Sequence, residues 1–144
     1  MAIRPATASD ALEIACFYED IRRDTVPVVH SVSEIADWLV SHRISQGSSY
    51  IWIDRDEILG WVDVSGDDLD QLYVRRGRTG QGIGRQLLEF AKAASPGRLV
   101  LYTFQVNEGA RRFYRREGFV ETAFGDGSMN EEGAPDVKME WVRA

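Results

Sequence analysis

Apolar and polar positions along this chain recur with two periods, and the switches between them mark its elements. Ile3 to Ala6 reads as a short first strand. Thr7, Ser9 and Asp10 are candidate caps for a helix whose apolar positions are Ala11, Ile14, Ala15, Tyr18 and Ile21. A polar and β-branched stretch, Asp24 to Val32, interrupts that pattern. Ser31 or Ser33 then caps a second helix with Ile35, Trp38 and Leu39 on one side. Ser49 to Ile53 and Ile58 to Val64, rich in β-branched and aromatic residues, predict a hairpin turning at Asp54 to Glu57. After the turn Ser65 to Asp68, Leu69 to Val74 is a further strand that ends directly before a glycine-rich run.

Beyond the glycines, Ile83, Leu87, Phe90, Ala91 and Ala94 keep helical spacing until Pro96-Gly97 stops them. Leu99 to Phe104 is a largely apolar strand, expected to be covered on both faces. Asn107 can cap a short helix that buries Ala110, Phe113 and Tyr114 and ends at Gly118. Phe119 to Phe124 and Val137 to Val142 are two closing strands around a polar loop, Gly125 to Asp136. Strands and helices interleave, so the fold class is α/β (α+β), and no repeat or low-complexity tract divides residues 1–144, read as one domain.

Composition narrows the function. At 144 residues and 44% hydrophobic, the chain can bury a sizeable core. Its formal charge of −6 argues against a nucleic-acid partner, which requires clustered Lys and Arg, and favours cationic small molecules. No run approaches the roughly 18 apolar residues of a membrane span, and the N-terminus does not resemble a signal peptide, so a cytoplasmic protein without a membrane partner is expected. The lone Cys16 excludes an intramolecular disulfide and is expected to be an inert thiol on the apolar face of its helix.

Chemistry concentrates at the glycines. A strand, the turn Thr79-Gly80-Gln81-Gly82-Ile83-Gly84 and a helix starting near Gly82 aim free backbone N–H groups and a helix dipole at one point, which suits a phosphate. Arg75, Arg76, Arg78 and Arg85 supply positive charge there. A dinucleotide fingerprint would need glycine at Arg85, and a Walker loop would need Lys-Ser/Thr after Gly84, so neither nucleotide class fits.

Leu72-Tyr73-Val74 followed by Thr79 to Leu88 resembles the coenzyme A-binding motif of GNAT-superfamily N-acetyltransferases. Asn107 to Phe119 resembles the family's second signature, N-x-x-A-x-x-F-Y-x-x-x-G-F, at the right separation. The chain departs at Thr79, where the family usually carries Arg or Gln. The resemblance implies a mixed, mostly antiparallel sheet of about six to seven strands flanked by about four helices. It implies acetyl-CoA as cosubstrate, no metal, and a small-molecule or peptide amine as acceptor. It implies further that the backbone of Leu72, Tyr73 and Val74 pairs with the pantetheine arm, that Thr79, Gly80, Gln81, Gly82, Ile83, Gly84 and Arg85 surround the pyrophosphate, and that Asn107 and Ala110 also contact the cofactor. Tyr114 matches the family's general acid, and Asp70 occupies a strand where several relatives carry a carboxylate base acting through water; Asp68, Glu13 and Glu19 are alternatives. The family admits a homodimer, although no segment here declares an interface. Two other readings stay open: a catalytically idle acyl-CoA-binding or regulatory module, and a transferase for another acyl group or for a protein N-terminus or lysine. The early helices and the last loop, with Glu19, Asp20, Asp24, Asp126, Glu131, Glu132 and Asp136, are expected to rim the acceptor mouth with negative charge.

Overall fold

The computed structural model describes residues 2–144, in which seven strands form one sheet flanked by four helices. The strands are β1 (Ala2–Pro5), β2 (Ser49–Asp54), β3 (Glu57–Ser65), β4 (Asp68–Val74), β5 (Arg98–Phe104), β6 (Val120–Phe124) and β7 (Asp136–Val142). The helices are α1 (Ala11–Arg22), α2 (Val32–His42), α3 (Ile83–Ala94) and α4 (Glu108–Arg116). The strand order is β1-β2-β3-β4-β5-β7-β6, antiparallel throughout except between β4 and β5.

Each face of the sheet buries a separate core. On one face α1 and α2 pack Ile14, Ala15, Tyr18 and Leu39 against Ile51, Ile58 and Trp61. On the other, α3 and α4 pack Leu87, Leu88, Ala91 and Tyr114 against Val62, Leu99 and Met139. Central β3 is therefore buried at every position but its ends, as a strand covered on both sides must be. Gly60 sets how closely α3 approaches: a Cβ there would stand 2.7 Å from Leu87 Cδ1 and 3.2 Å from both Ile83 Cγ2 and the Tyr73 carbonyl oxygen.

The caps and stops follow local chemistry. Ser31 accepts from the Glu34 N–H while Glu34 accepts from the Ser31 N–H, closing a capping box at the start of α2. Asn107 caps α4 by accepting from the Ala110 N–H at 3.1 Å, and Gly118, at φ 99°, turns the chain after it.

Two expectations need correction. Cys16 is exposed: at 100° per residue it points away from Ile14, Ala15, Phe17 and Tyr18, which take the buried face. Strand β5 is covered on both faces only over Leu99, Val100 and Leu101, all buried; beyond them Tyr102 is 62% exposed. The helices α3 and α4 lie on one side of this half of the sheet, and α1 and α2 stop short of the other.

Candidate active site

The site originates in a strand pairing that stops. Strands β4 and β5 pair only at Asp68↔Val100, with one further bond from the Val100 N–H to the Asp67 carbonyl at 2.7 Å. Beyond that point Leu69 to Tyr73 and Leu101 to Phe104 line opposite walls of a cavity of about 690 Å³, with Asn107, Ala110 and Tyr114 contributed by α4. An unpaired strand edge inside a cavity leaves N–H and C=O groups that an extended ligand can take up.

A β-bulge re-aims the β4 wall. Asp63 pairs with Gln71 and Val64 with Leu69, so Asp70 is the extra residue. The bulge resets the alternation. Leu69, Leu72 and Val74 pack with α3 and α4, whereas Tyr73 packs on the α1/α2 side. The phenyl rings of Tyr18 and Tyr73 meet edge to face at 5.0 Å.

Asp70 lines the cavity, with Oδ2 3.0 Å from Arg43 Nη2 at the end of α2. Burial pushes its carboxyl above the ordinary value; the Arg43 guanidinium opposes that shift, and the Asp63 charge adds to it. Tyr114 is buried, its ring edge to face with Phe119 at 5.4 Å. Burial, and secondarily Tyr73, holds its phenol above the ordinary value, so it keeps its proton at physiological pH. The capping bond occupies the Asn107 side-chain oxygen, leaving its NH₂ as the half that can serve a ligand.

Past the cavity, whose β4 lining ends at Tyr73, the strand runs on through Val74 into the glycine turn. Gly80 and Gly82 both have φ 81°, the left-handed region that favours glycine. No side chain caps α3 at Gly82, and the first helical bond is Gln86 N–H to Gly82 C=O. The N–H groups of Ile83, Gly84 and Arg85 therefore precede the helical ladder, as an anion site requires. The neighbouring arginines do not form the free cluster that the sequence led us to expect. Arg75 pairs with Glu13 at 2.7 Å, Arg76 with Asp20 and Asp24 at 3.1 Å, and Arg78 with Glu57 at 3.1 Å. Arg85, its side chain 72% exposed, stands 3.5 Å from Glu117. Thr79 is exposed on the turn beside Gly80 and Gln81.

The other end of the cavity is built from two loops far apart in sequence. Arg22 at the end of α1 reaches Glu132 between β6 and β7 at 3.0 Å, and His30 reaches Glu131 at 3.1 Å. Arg22 also lies over the rings of Tyr18 (4.8 Å) and Phe104 (5.4 Å). Of the acids expected to rim this mouth, Glu19, Glu131 and Glu132 line the cavity and Asp20, Asp24, Asp126 and Asp136 do not; Glu19 pairs with Arg23, and Asp20 and Asp24 share Arg76. Asp126 accepts from the Ser128 N–H, and Asp136 from Asn130. Arginine partners offset part of the negative charge that the sequence suggested, while Asp126 and Asp136, bonded to neutral donors, keep theirs. Among the described residues, no group of three or more His, Cys, Asp or Glu could hold a metal, and no helix is long and apolar enough to cross a membrane.

A family model for the acetyltransferase (GNAT) domain matches residues 45–121. The chain belongs to the GNAT acetyltransferase family. The match spans β2 through the start of β6, and so includes the bulge, the glycine turn and Tyr114. The peptidyl-lysine N-acetyltransferase YjaB of Salmonella typhimurium is 33% identical over 88 residues, 59% of this chain and 59% of that relative; the match thus spans about three fifths of the relative's length. The apo-form YjaB structure from Escherichia coli superposes with a TM-score of 0.78 at 24% identity, covering 99% of this chain and 98% of that one. Salmonella typhimurium yncA, solved with its cofactor acetyl-CoA, superposes with a TM-score of 0.74 at 15% identity over 100% of this chain and 94% of that one. These likenesses establish the GNAT fold, a seven-stranded mixed sheet with four helices.

Of the site candidates the sequence named, Asp70, Leu72, Tyr73, Asn107, Ala110 and Tyr114 line one cavity, whereas Val74 and Thr79 to Arg85 lie outside its lining, on the strand end and turn that follow Tyr73. Asp68 is exposed at the start of β4, while Glu13 is engaged by Arg75. Tyr18 and Arg22 also line the cavity and were not named as site residues, and Glu132, expected at the acceptor mouth, lines it as well. Tyr18 was read only as a position of helical periodicity, and Glu132 only as a charge, because a pair 110 residues apart leaves no local signal.

Proposed function

We propose that this protein is an acetyl-CoA-dependent N-acetyltransferase whose acceptor is a primary amine, in the first instance a peptide lysine. The cavity between β4 and β5, carrying Tyr114 and lined by the strand that runs on into the glycine turn, is the observation that carries the reading. The free edge of Leu72, Tyr73 and Val74 suits the pantetheine arm. The N–H groups from Gly80 to Arg85 suit the pyrophosphate, with Thr79 and Gln81 beside it and the Asn107 NH₂ and Ala110 along the arm. With the nearby arginines paired, the backbone supplies most of this recognition.

In the reaction the amine nitrogen attacks the thioester carbonyl and a tetrahedral oxyanion forms. The C–S bond then breaks as the electron pair returns to sulfur. Tyr114, kept protonated by burial, donates to the departing thiolate. Asp70, whose carboxyl burial makes more basic, takes the amine proton directly or through water. The lysine assignment rests on the peptidyl-lysine activity named for the YjaB relatives; the partly paired acids do not distinguish a lysine from a small cationic amine, which is the second acceptor class.

The test is calorimetry with acetyl-CoA, followed by mass-spectrometric acetylation of lysine peptides and of small amines. Binding together with lysine acetylation is the expected result. No heat of binding at millimolar acetyl-CoA overturns the enzymatic reading, and transfer to small amines alone replaces the acceptor.

A further inference from the structure

Asp63 sits in the middle of β3 with 0% of its surface exposed. Both Ser48 Oγ, at 3.0 Å, and Ser49 Oγ meet its Oδ2, and Trp61 Nε1 fixes Ser49 by donating to its hydroxyl at 3.1 Å. Its Oδ1 has no hydrogen-bond partner among the described residues. A buried carboxylate with one oxygen unmatched opposes folding, and an apolar residue of similar size is often the more stable choice. Packing therefore does not account for this residue.

Its position does. Asp63 pairs with Gln71, and Asp70 is the bulged residue next to that pair. The charged and polar groups acting on Asp70 come from three elements: Arg43 from the end of α2, Asp63 from β3, and Asp68 and Gln71 from β4 itself. Ser48 ties these elements together: its N–H donates to the Arg43 carbonyl, and its hydroxyl lies within bonding distance of that carbonyl and of Asp63 Oδ2.

We propose that Asp63 is a positioning residue for Asp70: a carboxyl held rigidly beneath the β4 bulge by Ser48 and Ser49, facing Asp70 from β3 while Arg43 holds Asp70 from the end of α2. The role rests on the reading of Asp70 as the group that takes the amine proton. Like charges disfavour each other's ionised form, so Asp63 pushes Asp70 toward the stronger base; Arg43 opposes this with the larger effect, and burial, larger than either, keeps the carboxyl above its ordinary value. The serine hydroxyls and the indole keep the Asp63 carboxyl from swinging away, so the charge acts from a constant distance.

The experiment titrates the Asp70 carboxyl carbon by NMR and, in parallel, follows kcat for peptide acetylation with pH, using the full chain with saturating acetyl-CoA. Asp63→Asn keeps the shape and removes the charge, and should lower the Asp70 midpoint by about half a unit or more, a threefold or greater change in proton affinity. The acid limb of kcat should move down with it. Arg43→Met should move both the other way. A lower plateau in Asp63→Asn with an unmoved midpoint and limb overturns the inference and makes Asp63 structural. If Asp63→Asn does not fold, Asp63→Ser, which retains a hydroxyl for the two serines, carries the same expectation; failure of both to fold also assigns Asp63 to structure. Asp70→Asn separates the underlying reading. It should erase the acid limb, and a limb that survives removes Asp70 as the proton acceptor whatever Asp63 does.

Discussion

The turn end and the far end of the candidate site are built on opposite plans. At the turn end, one contiguous stretch from Leu72 to Arg85 supplies backbone edge, backbone N–H groups and glycine conformations, and the nearby cations are engaged by acids of α1 and β3. At the far end the walls are side chains from loops 101 and 110 residues apart, joined by His30–Glu131 and Arg22–Glu132. Recognition by backbone depends on φ and ψ and tolerates change in surface side chains. Recognition by paired side chains depends on each partner. The turn end should therefore respond to glycine replacement and the far end to charge replacement, with little exchange between them.

The largest effect tests the zone where the two ends meet. Tyr114→Phe keeps the ring packing and deletes the hydroxyl, and should lower kcat by about 10²- to 10⁴-fold with acetyl-CoA affinity unchanged. An unaltered kcat under conditions where chemistry is rate-limiting returns Tyr114 to the core. Next, Gly82→Val forces a β-branched residue to φ 81°. A strain of about 1–3 kcal/mol corresponds to roughly 5- to 150-fold weaker acetyl-CoA binding by calorimetry, with the acceptor KM unchanged. An equal loss from Arg112→Ala, on the exposed side of α4, would break the distinction.

Smaller effects belong to the far end. Glu132→Gln leaves the Arg22 charge without its partner where the side chains are only 21% and 12% exposed. Chemical denaturation should show a loss of about 1–2 kcal/mol, below the cost at a fully buried pair, and the acceptor KM should rise while cofactor affinity holds. Smallest is Asp70→Asn. The folded carboxyl is raised above its unfolded value, so its stabilising contribution is complete below the unfolded pKa and is lost as pH rises through the folded one. At pH 7 the ionised Asp70 opposes folding, and the Asn variant should be more stable by up to about 1 kcal/mol. The gain should shrink toward pH 4; a variant equally or less stable at pH 7 removes the case for a destabilising carboxylate.

The same division decides what the sequence could say. Period, caps and glycines are local, so the strand-turn-helix around Gly82, the Asn107 cap and the order of elements were legible, with boundaries off by a residue or two. The bulge at Asp70 was not, because it depends on which residue of β3 faces which residue of β4, and no single strand states its register. The paired state of Arg75, Arg76 and Arg78 was hidden for a related reason: their acids lie between 21 and 62 positions away. Cys16 was misplaced because a residue flanked in sequence by buried apolar neighbours can still face outward on a helix.

Gly60 carries a consequence for any map of mutational tolerance. It lies in the core and faces no cavity, yet the atoms that fill its missing side chain belong to Ile83 and Leu87, the first turns of the helix whose opening N–H groups face the proposed pyrophosphate. A larger residue there would shift α3 as a lever, displacing those groups by tenths of an ångström while much of the fold survives. In a scan scored separately for abundance and for cofactor capture, position 60 should group with the turn glycines, a binding phenotype from a residue that never meets the ligand.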